Sequence, residues 1–253
     1  MNTELLDRLV IREAIENWVI WRDAGDWKRF AELWHPEGVM MATWFQGSGP
    51  EFIRVTREGW ARGVSILHFL GGTSIELAGP RAIAQTKMTI SQRGDVEGHI
   101  CDVVCTGRFY DFYEKMDGEW LLRLRQPIYE KDRLDPIEIG VKLDLDAAML
   151  RRFPEGYRHL AYIQTKIGYD VKRDMPGLTG PRRRGALRAR PRMARYGNAV
   201  MRVEARDMPE AGIDRAVDLI MQNSYSNPRV PDVRARGHML QQAWKGLPPE
   251  PME

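Results

Sequence analysis

The chain has 253 residues, 43% hydrophobic and 29% charged, enough for one sizeable core with an appendage or for two small domains. A net charge of +3 is too mild to demand a polyanionic partner, and no run approaches the roughly 20 apolar residues of a membrane span. The opening Asn2-Thr3-Glu4 is not the charged-then-apolar leader of a secreted chain, so a cytoplasmic location is expected.

Residues 3–22 are predicted to form a helix capped by Asn2 or Thr3, with Ile11, Ala14, Ile15 and Trp18 on one stripe. Asp23-Ala-Gly-Asp26 interrupts it, and Asp26 is placed to cap a second helix over 27–34 that His35-Pro36 stops. His35 is expected at that helix end, facing the dipole. A short strand over 38–44 and a turn at 47–50 follow, with Pro50 opening a third helix over about 50–63.

From residue 74 the pattern changes to strands, predicted over 74–78, 82–92, 98–115 and 119–131. Gly79-Pro80, Arg93-Gly-Asp95 and Met116-Asp-Gly118 supply the turns, the last being an Asp-Gly hairpin signal. In the last strand Arg123 and Arg125 alternate with Leu122 and Leu124, which predicts one shared face for the two arginines. Cys101 and Cys105 share a strand face at a spacing too wide to bridge and are expected as reduced core thiols. Helices first and a meander of long strands afterwards imply an α+β domain over residues 1–135.

Residues 136–253 read as an extension without a core of its own, wrapping the first domain or a neighbouring subunit. Short helices are expected over 143–152 and 155–167, then a Pro/Gly-rich break, a helix around 211–223 and a proline-rich end. Residues 182–195 hold seven arginines and no acid. Such a run could release counterions from phosphates, but it lacks the aromatics of a base-stacking surface, so an exposed or subunit-contacting arm is the better reading than nucleic-acid binding.

His68, in Ser65-Ile-Leu-His-Phe, and Asp23 are the candidate chemistry. An imidazole and a carboxylate from two separate elements suit proton transfer, the acid fixing the tautomer of the base. The bland alternatives are a satisfied structural histidine and a helix-terminating aspartate. The five histidines, including His159 and His238, show no ligand spacing, and Gly71-Gly72 lacks the helix that a phosphate loop needs, so neither metal nor nucleotide cofactor is assigned.

The order of these motifs resembles the SnoaL-like branch of the nuclear transport factor 2-like superfamily: Asp23-Ala-Gly-Asp-Trp27, then Leu33-Trp34-His35-Pro36-Glu-Gly38, a third helix, His68 ahead of a strand, and Asp117-Gly-Glu-Trp120. The resemblance spans roughly residues 5–132. It implies a cone, a curved antiparallel sheet closed over three helices around one deep pocket. In cofactor-independent members, scytalone dehydratase and dehydrochlorinase among them, an Asp–His dyad fills the positions of Asp23 and His68, and a strand arginine that of Arg125. A lysine of the dehydrochlorinase is replaced here by Trp18. His99 lies in the strand that carries a second catalytic histidine of scytalone dehydratase.

The resemblance therefore implies a cofactor-free lyase with His68, Asp23 and Arg125 as its catalytic set. The expected substrate is a small aromatic molecule held by Trp18, Trp44, Trp60, Phe69, His99, Arg123 and Tyr129. Dehydration is one reaction; Phe153-Pro-Glu-Gly-Tyr157 resembles an extended subgroup for which formaldehyde-releasing cleavage of lignin-derived phenolic dimers is the other. A homodimer or homotrimer is expected. The alternatives are an isomerase or cyclase of ketosteroid or polyketide type, and a non-catalytic partner resembling the β subunit of ring-hydroxylating dioxygenases. The non-catalytic reading needs no Asp–His contact.

Overall fold

A computed structural model of the chain describes residues 3–177. The arginine run, the helix expected at 211–223, His238 and the proline-rich end lie outside the described residues. Three helices, α1 (Thr3–Ala24), α2 (Trp27–Glu32) and α3 (Gly49–Ala61), precede the long strands. The strands are β1 (Trp34–Met41), β2 (Gln46–Ser48), β3 (Ser65–Ala78), β4 (Arg81–Val96), β5 (His99–Met116) and β6 (Glu119–Pro136). They form one six-stranded sheet in the order β2-β1-β6-β5-β4-β3, antiparallel except where β1 runs parallel to β6. This is the expected α+β architecture.

The local reasons are readable. In α1 the buried positions are Ile11, Ala14, Ile15, Trp18, Val19 and Arg22, the spacing of one helical stripe. Gly25 ends the helix at φ 74°, a left-handed conformation that favours glycine, so Asp23 is left in the last turn. Asp26 accepts from the Arg29 backbone N–H at 3.2 Å and caps α2, and Ser48 caps α3. Asp117 and Gly118, both at positive φ, make the β5–β6 hairpin. Trp18 of α1, Phe30 of α2, Phe52 of α3 and Phe109 and Tyr113 of β5 belong to one buried core cluster.

Four expectations change. The helix from residue 27 ends at Glu32, and Trp34, His35 and Pro36 belong to β1, where the His35 imidazole takes the Glu37 backbone N–H and stands 3.8 Å from Glu114. The strand carrying His68 begins at Ser65, not Ser74. Gly71-Gly72 lies between the pairs Leu70/Met88 and Thr73/Thr86, a bulge that the strand absorbs, so His68 sits inside β3. Gly94 is strand and not turn; a side chain there would meet Ile163 Cδ1 at 3.0 Å, and the reversal falls instead at Glu97-Gly98.

The fourth change separates the two arginines. Leu122 pairs with Tyr113 but Leu124 with Phe112, so Arg123 is the extra residue of a bulge and the alternation resets after it. Arg125 turns to Trp18 and Phe109, while Arg123 turns to Glu37, with Oε2 at 2.8 Å.

After β6 come α4 (Ala147–Leu150) and α5 (Arg158–Lys166), shorter than the helices expected there. Leu160 to Gln164 of α5 are all buried. Asp132 of β6 caps α5 from outside, accepting the backbone N–H groups of His159 (2.6 Å) and Leu160 (2.8 Å) and meeting His159 Nδ1 at 2.8 Å. The following segment is tied down by Lys172 N–H to the Thr43 carbonyl (2.8 Å) and Tyr129 N–H to the Pro176 carbonyl (2.8 Å). Among the described residues, no helix is long and apolar enough to cross a membrane.

Gly107 gives a test of the sheet register. A Cβ there would stand 2.0 Å from the Ile128 carbonyl oxygen, a backbone atom that cannot rotate away. Gly107→Ala is expected to destabilise by about 1–3 kcal/mol, read as a lowered denaturant midpoint; an unchanged midpoint would mean that β5 and β6 can separate there.

Candidate active site

Asp23, at the end of α1, reaches across to β3. Its Oδ1 lies 2.8 Å from His68 Nδ1, and its Oδ2 accepts the His68 backbone N–H at 2.6 Å. Arg22 Nη1 is a third donor to the carboxylate, reaching Oδ1 at 3.0 Å, and also donates to the Ile66 carbonyl at 3.1 Å. One carboxylate thus fixes both the ring and the backbone of the histidine. Among the described residues His68 Nε2 has no hydrogen-bond partner.

The electrostatics agree on one protonation state. Burial opposes ionisation of Asp23, but the His68 hydrogen bonds and the Arg22 charge outweigh it and hold the carboxyl below its usual range. Burial pushes the His68 imidazole down; Asp23 opposes that shift, and the Arg22 and Arg125 charges reinforce it. The pair therefore rests as a carboxylate and a neutral imidazole with its proton on Nδ1. That tautomer leaves the Nε2 lone pair as the basic site.

Aromatic rings surround it. Trp18 stands edge-on to His68 with centroids 5.6 Å apart, and Phe109 lies 6.2 Å away. Beneath these rings the Arg125 guanidinium sits 4.2 Å from the Trp18 centroid and 3.9 Å from that of Phe109. It is fully buried and forked onto Asp111, with Nε–Oδ1 at 2.8 Å and Nη2–Oδ2 at 2.7 Å. Burial pushes the Asp111 carboxyl up against the pull of Arg125.

The cavity beside His68 measures about 40 Å³, room for a few waters. Trp18, Trp44, Phe52, Phe109 and Tyr129 give it aromatic walls, and Leu160 and Gln164 of α5 also line it. A smaller neighbour of about 10 Å³ shares Arg22, Trp44, Ile66 and Gln164 with it and adds Trp60, Gln92 and Tyr169. Thr43 Oγ1 donates to Gln164 Oε1 at 2.7 Å, tying the α5 side to the floor.

The candidate residues divide accordingly. Asp23, His68, Trp18, Trp44 and Tyr129 come together, and Arg125 lies behind Trp18 without lining either cavity. Trp60 is half exposed and lines only the smaller cavity. Phe69 is 61% exposed, because neighbours on a strand point to opposite faces and His68 takes the inner one. His99 stands six residues along β5 from Cys105, which lies across from Ile90 and hence His68; that is ~20 Å of strand. Arg123 pairs with Glu37. Cys101 and Cys105 are free, buried thiols, and burial holds the Cys105 thiol well up. Among the described residues no group of three or more His, Cys, Asp or Glu side chains converges as metal ligands would.

Sequence reasoning missed Arg22, Thr43, Gln92, Gln164 and Tyr169. Arg22 left a signal: it extends the stripe of Ile11, Ile15 and Trp18 by four residues, a charge at a core position. Gln164 gave none, because its role depends on how α5 docks.

A family model for the SnoaL-like domain matches residues 3–126, which carry Asp23, His68 and the helices and strands around them. Pea pathogenicity protein 2 of Fusarium vanettenii is 37% identical over 176 residues, 68% of this chain and 76% of its own length. The chain belongs to the SnoaL-like family. Among solved structures, this SnoaL-like chain is similar to a putative scytalone dehydratase from Novosphingobium aromaticivorans, at 19% identity over 56% of this chain and 99% of the other, with a TM-score of 0.46. It is also similar to a hexachlorocyclohexane dehydrochlorinase, LinA type 2, at 13% identity over 57% and 97%, with a TM-score of 0.45. The SnoaL-like match ends at residue 126, so α5 and its cavity-lining Leu160 and Gln164 come from beyond it.

Proposed function

We propose that this chain is a cofactor-independent lyase in which His68, oriented by Asp23, removes or delivers a proton while water or formaldehyde leaves a small aromatic molecule, lignin-derived phenolics included. One observation carries the reading: His68 Nδ1 is held on Asp23 at 2.8 Å while Nε2 has no partner among the described residues, in a residue that lines an aromatic cavity. A structural histidine in so buried a position would ordinarily have both nitrogens satisfied. The aromatic walls favour a flat, apolar substrate.

Arg125 acts in this reading through its field and not by contact. Its fork is engaged by Asp111, yet its charge contributes to holding the imidazole neutral. The cavity of about 40 Å³ is far below the roughly 300 Å³ of an ordinary ligand site. Substrate admission therefore requires a wall to move, and α5 is the candidate, since it lies over the cavity.

The test is a screen of hydroxylated aromatic compounds and phenolic dimers, read for loss of water or release of formaldehyde, followed by a pH profile. The base must be neutral and its pKa is depressed, so kcat/KM is expected to be flat at neutral pH. It should fall only as pH drops through a value below the ordinary histidine 6.5. No turnover anywhere in the screen, or an acid limb centred above that value, counts against His68 as the base.

A further inference from the structure

We propose that Arg22 is the oxyanion-binding residue of this site and that the substrate is accordingly a carbonyl compound, its oxygen directed at the Arg22 guanidinium and its neighbouring C–H at His68. The inference rests on the Asp23–His68 reading and names the substrate class for it.

The first support is charge. Among the residues lining the two cavities Arg22 supplies the one guanidinium, and no lysine, aspartate or glutamate lines either of them. Arg125 is no rival on position: Nε and Nη2 are held by Asp111, and although its buried Nη1 has no hydrogen-bond partner among the described residues, the residue borders neither cavity. The second support is unused hydrogen-bonding capacity. Arg22 is only 5% exposed, yet both its hydrogen bonds leave from Nη1, to Asp23 and to the Ile66 carbonyl. Nε and Nη2 donate to no protein atom among the described residues. A buried guanidinium with idle donors, bordering two cavities next to a base, is the arrangement that stabilises developing negative charge.

The third support is balance during the reaction. At rest the carboxylate of Asp23 faces the cation of Arg22, and His68 is neutral. When Nε2 takes a proton from the carbon beside the carbonyl, the C–H pair becomes the C=C bond of an enolate and the carbonyl π pair moves to oxygen. Two charges appear, and each has a counterpart in place: imidazolium against Asp23, enolate oxygen against Arg22. As the carbonyl re-forms, the C–O bond one carbon further on breaks, and the proton on Nε2 goes to the departing hydroxide. The products are an unsaturated carbonyl compound and water. Arg22 meets full negative charge only along this path, so its contribution falls on the transition state and not on the resting substrate.

The experiment uses 4-nitrophenol, whose phenolate mimics an enolate oxygen and has its own yellow absorption band. The full chain is titrated at a pH where the free probe is mostly the neutral phenol. The wild type is expected to bind it as the phenolate. Arg22→Gln should weaken phenolate binding roughly 10- to 100-fold, and Arg22→Lys should retain part of it. His68→Gln should still bind phenolate, which ties the effect to Arg22 and not to the base. Binding as the neutral phenol, no saturable binding to the wild type, or equal phenolate binding in wild type and Arg22→Gln would overturn the proposal. Should Arg22→Gln fail to fold, binding by Arg22→Lys indistinguishable from wild type does the same. The readout needs no turnover, so it can fail while the Asp23–His68 reading stands, and the reverse.

Discussion

His68→Gln is expected to lower kcat/KM by roughly 100- to 10,000-fold on whatever substrate the screen identifies, the range a single general base supplies. Glutamine keeps a polar side chain of similar reach but offers no basic nitrogen. Asp23→Asn should approach the same loss for a different reason. In the wild type, Oδ1 meets His68 Nδ1 and Oδ2 meets the His68 backbone N–H, both as acceptors. An amide has one oxygen, so one of the two N–H groups would face an NH₂, and the negative charge that balances the imidazolium is gone. Far-ultraviolet circular dichroism on both variants separates lost chemistry from lost fold. Near-wild-type turnover in both would sink the dyad.

The second large effect concerns stability. Asp111 and Arg125 form a fully buried, bidentate pair. Truncating one partner, as in Asp111→Ala or Arg125→Ala, leaves an uncompensated charge in a dry interior and should cost about 3–5 kcal/mol. Replacing both, as Asp111→Leu with Arg125→Met, removes the desolvation penalty together with the attraction and should be far milder than either truncation. Denaturant midpoints of the three variants decide the matter. A double variant as unstable as the singles would mean that packing against Trp18 and Phe109, and not charge, is what Arg125 contributes.

What the sequence disclosed follows from the range of the interactions involved. The stripe of α1, the cap at Asp26 and the Asp117-Gly118 hairpin depend on neighbours a few residues away, and they form where expected. Asp23 and His68 were legible through the order of motifs around them, which fixes their places in a known fold. Misreadings arose where one residue shifts the period of a strand. The bulge at Arg123 reversed the faces of the two arginines, and strand alternation carried Phe69 outward although it adjoins His68. Neither bulge nor strand start announces itself in composition. Arg22 could have been found, since a charge on an apolar stripe has to be accounted for. Thr43, Gln92 and Gln164 could not, because they meet across 121 and 72 residues of chain.

The docking of α5 divides the labour of the site between distant parts of the chain. Asp23 and His68 hold each other through α1 and β3 alone, whereas Leu160 and Gln164 arrive on a separate helix anchored by Asp132. On the proposed reading, proton chemistry and molecular selection could therefore be altered independently. Changes at the inward positions of α5 would reshape what is admitted while the dyad keeps its geometry, which makes this short helix the place to begin if the chain is to be retargeted to a different molecule.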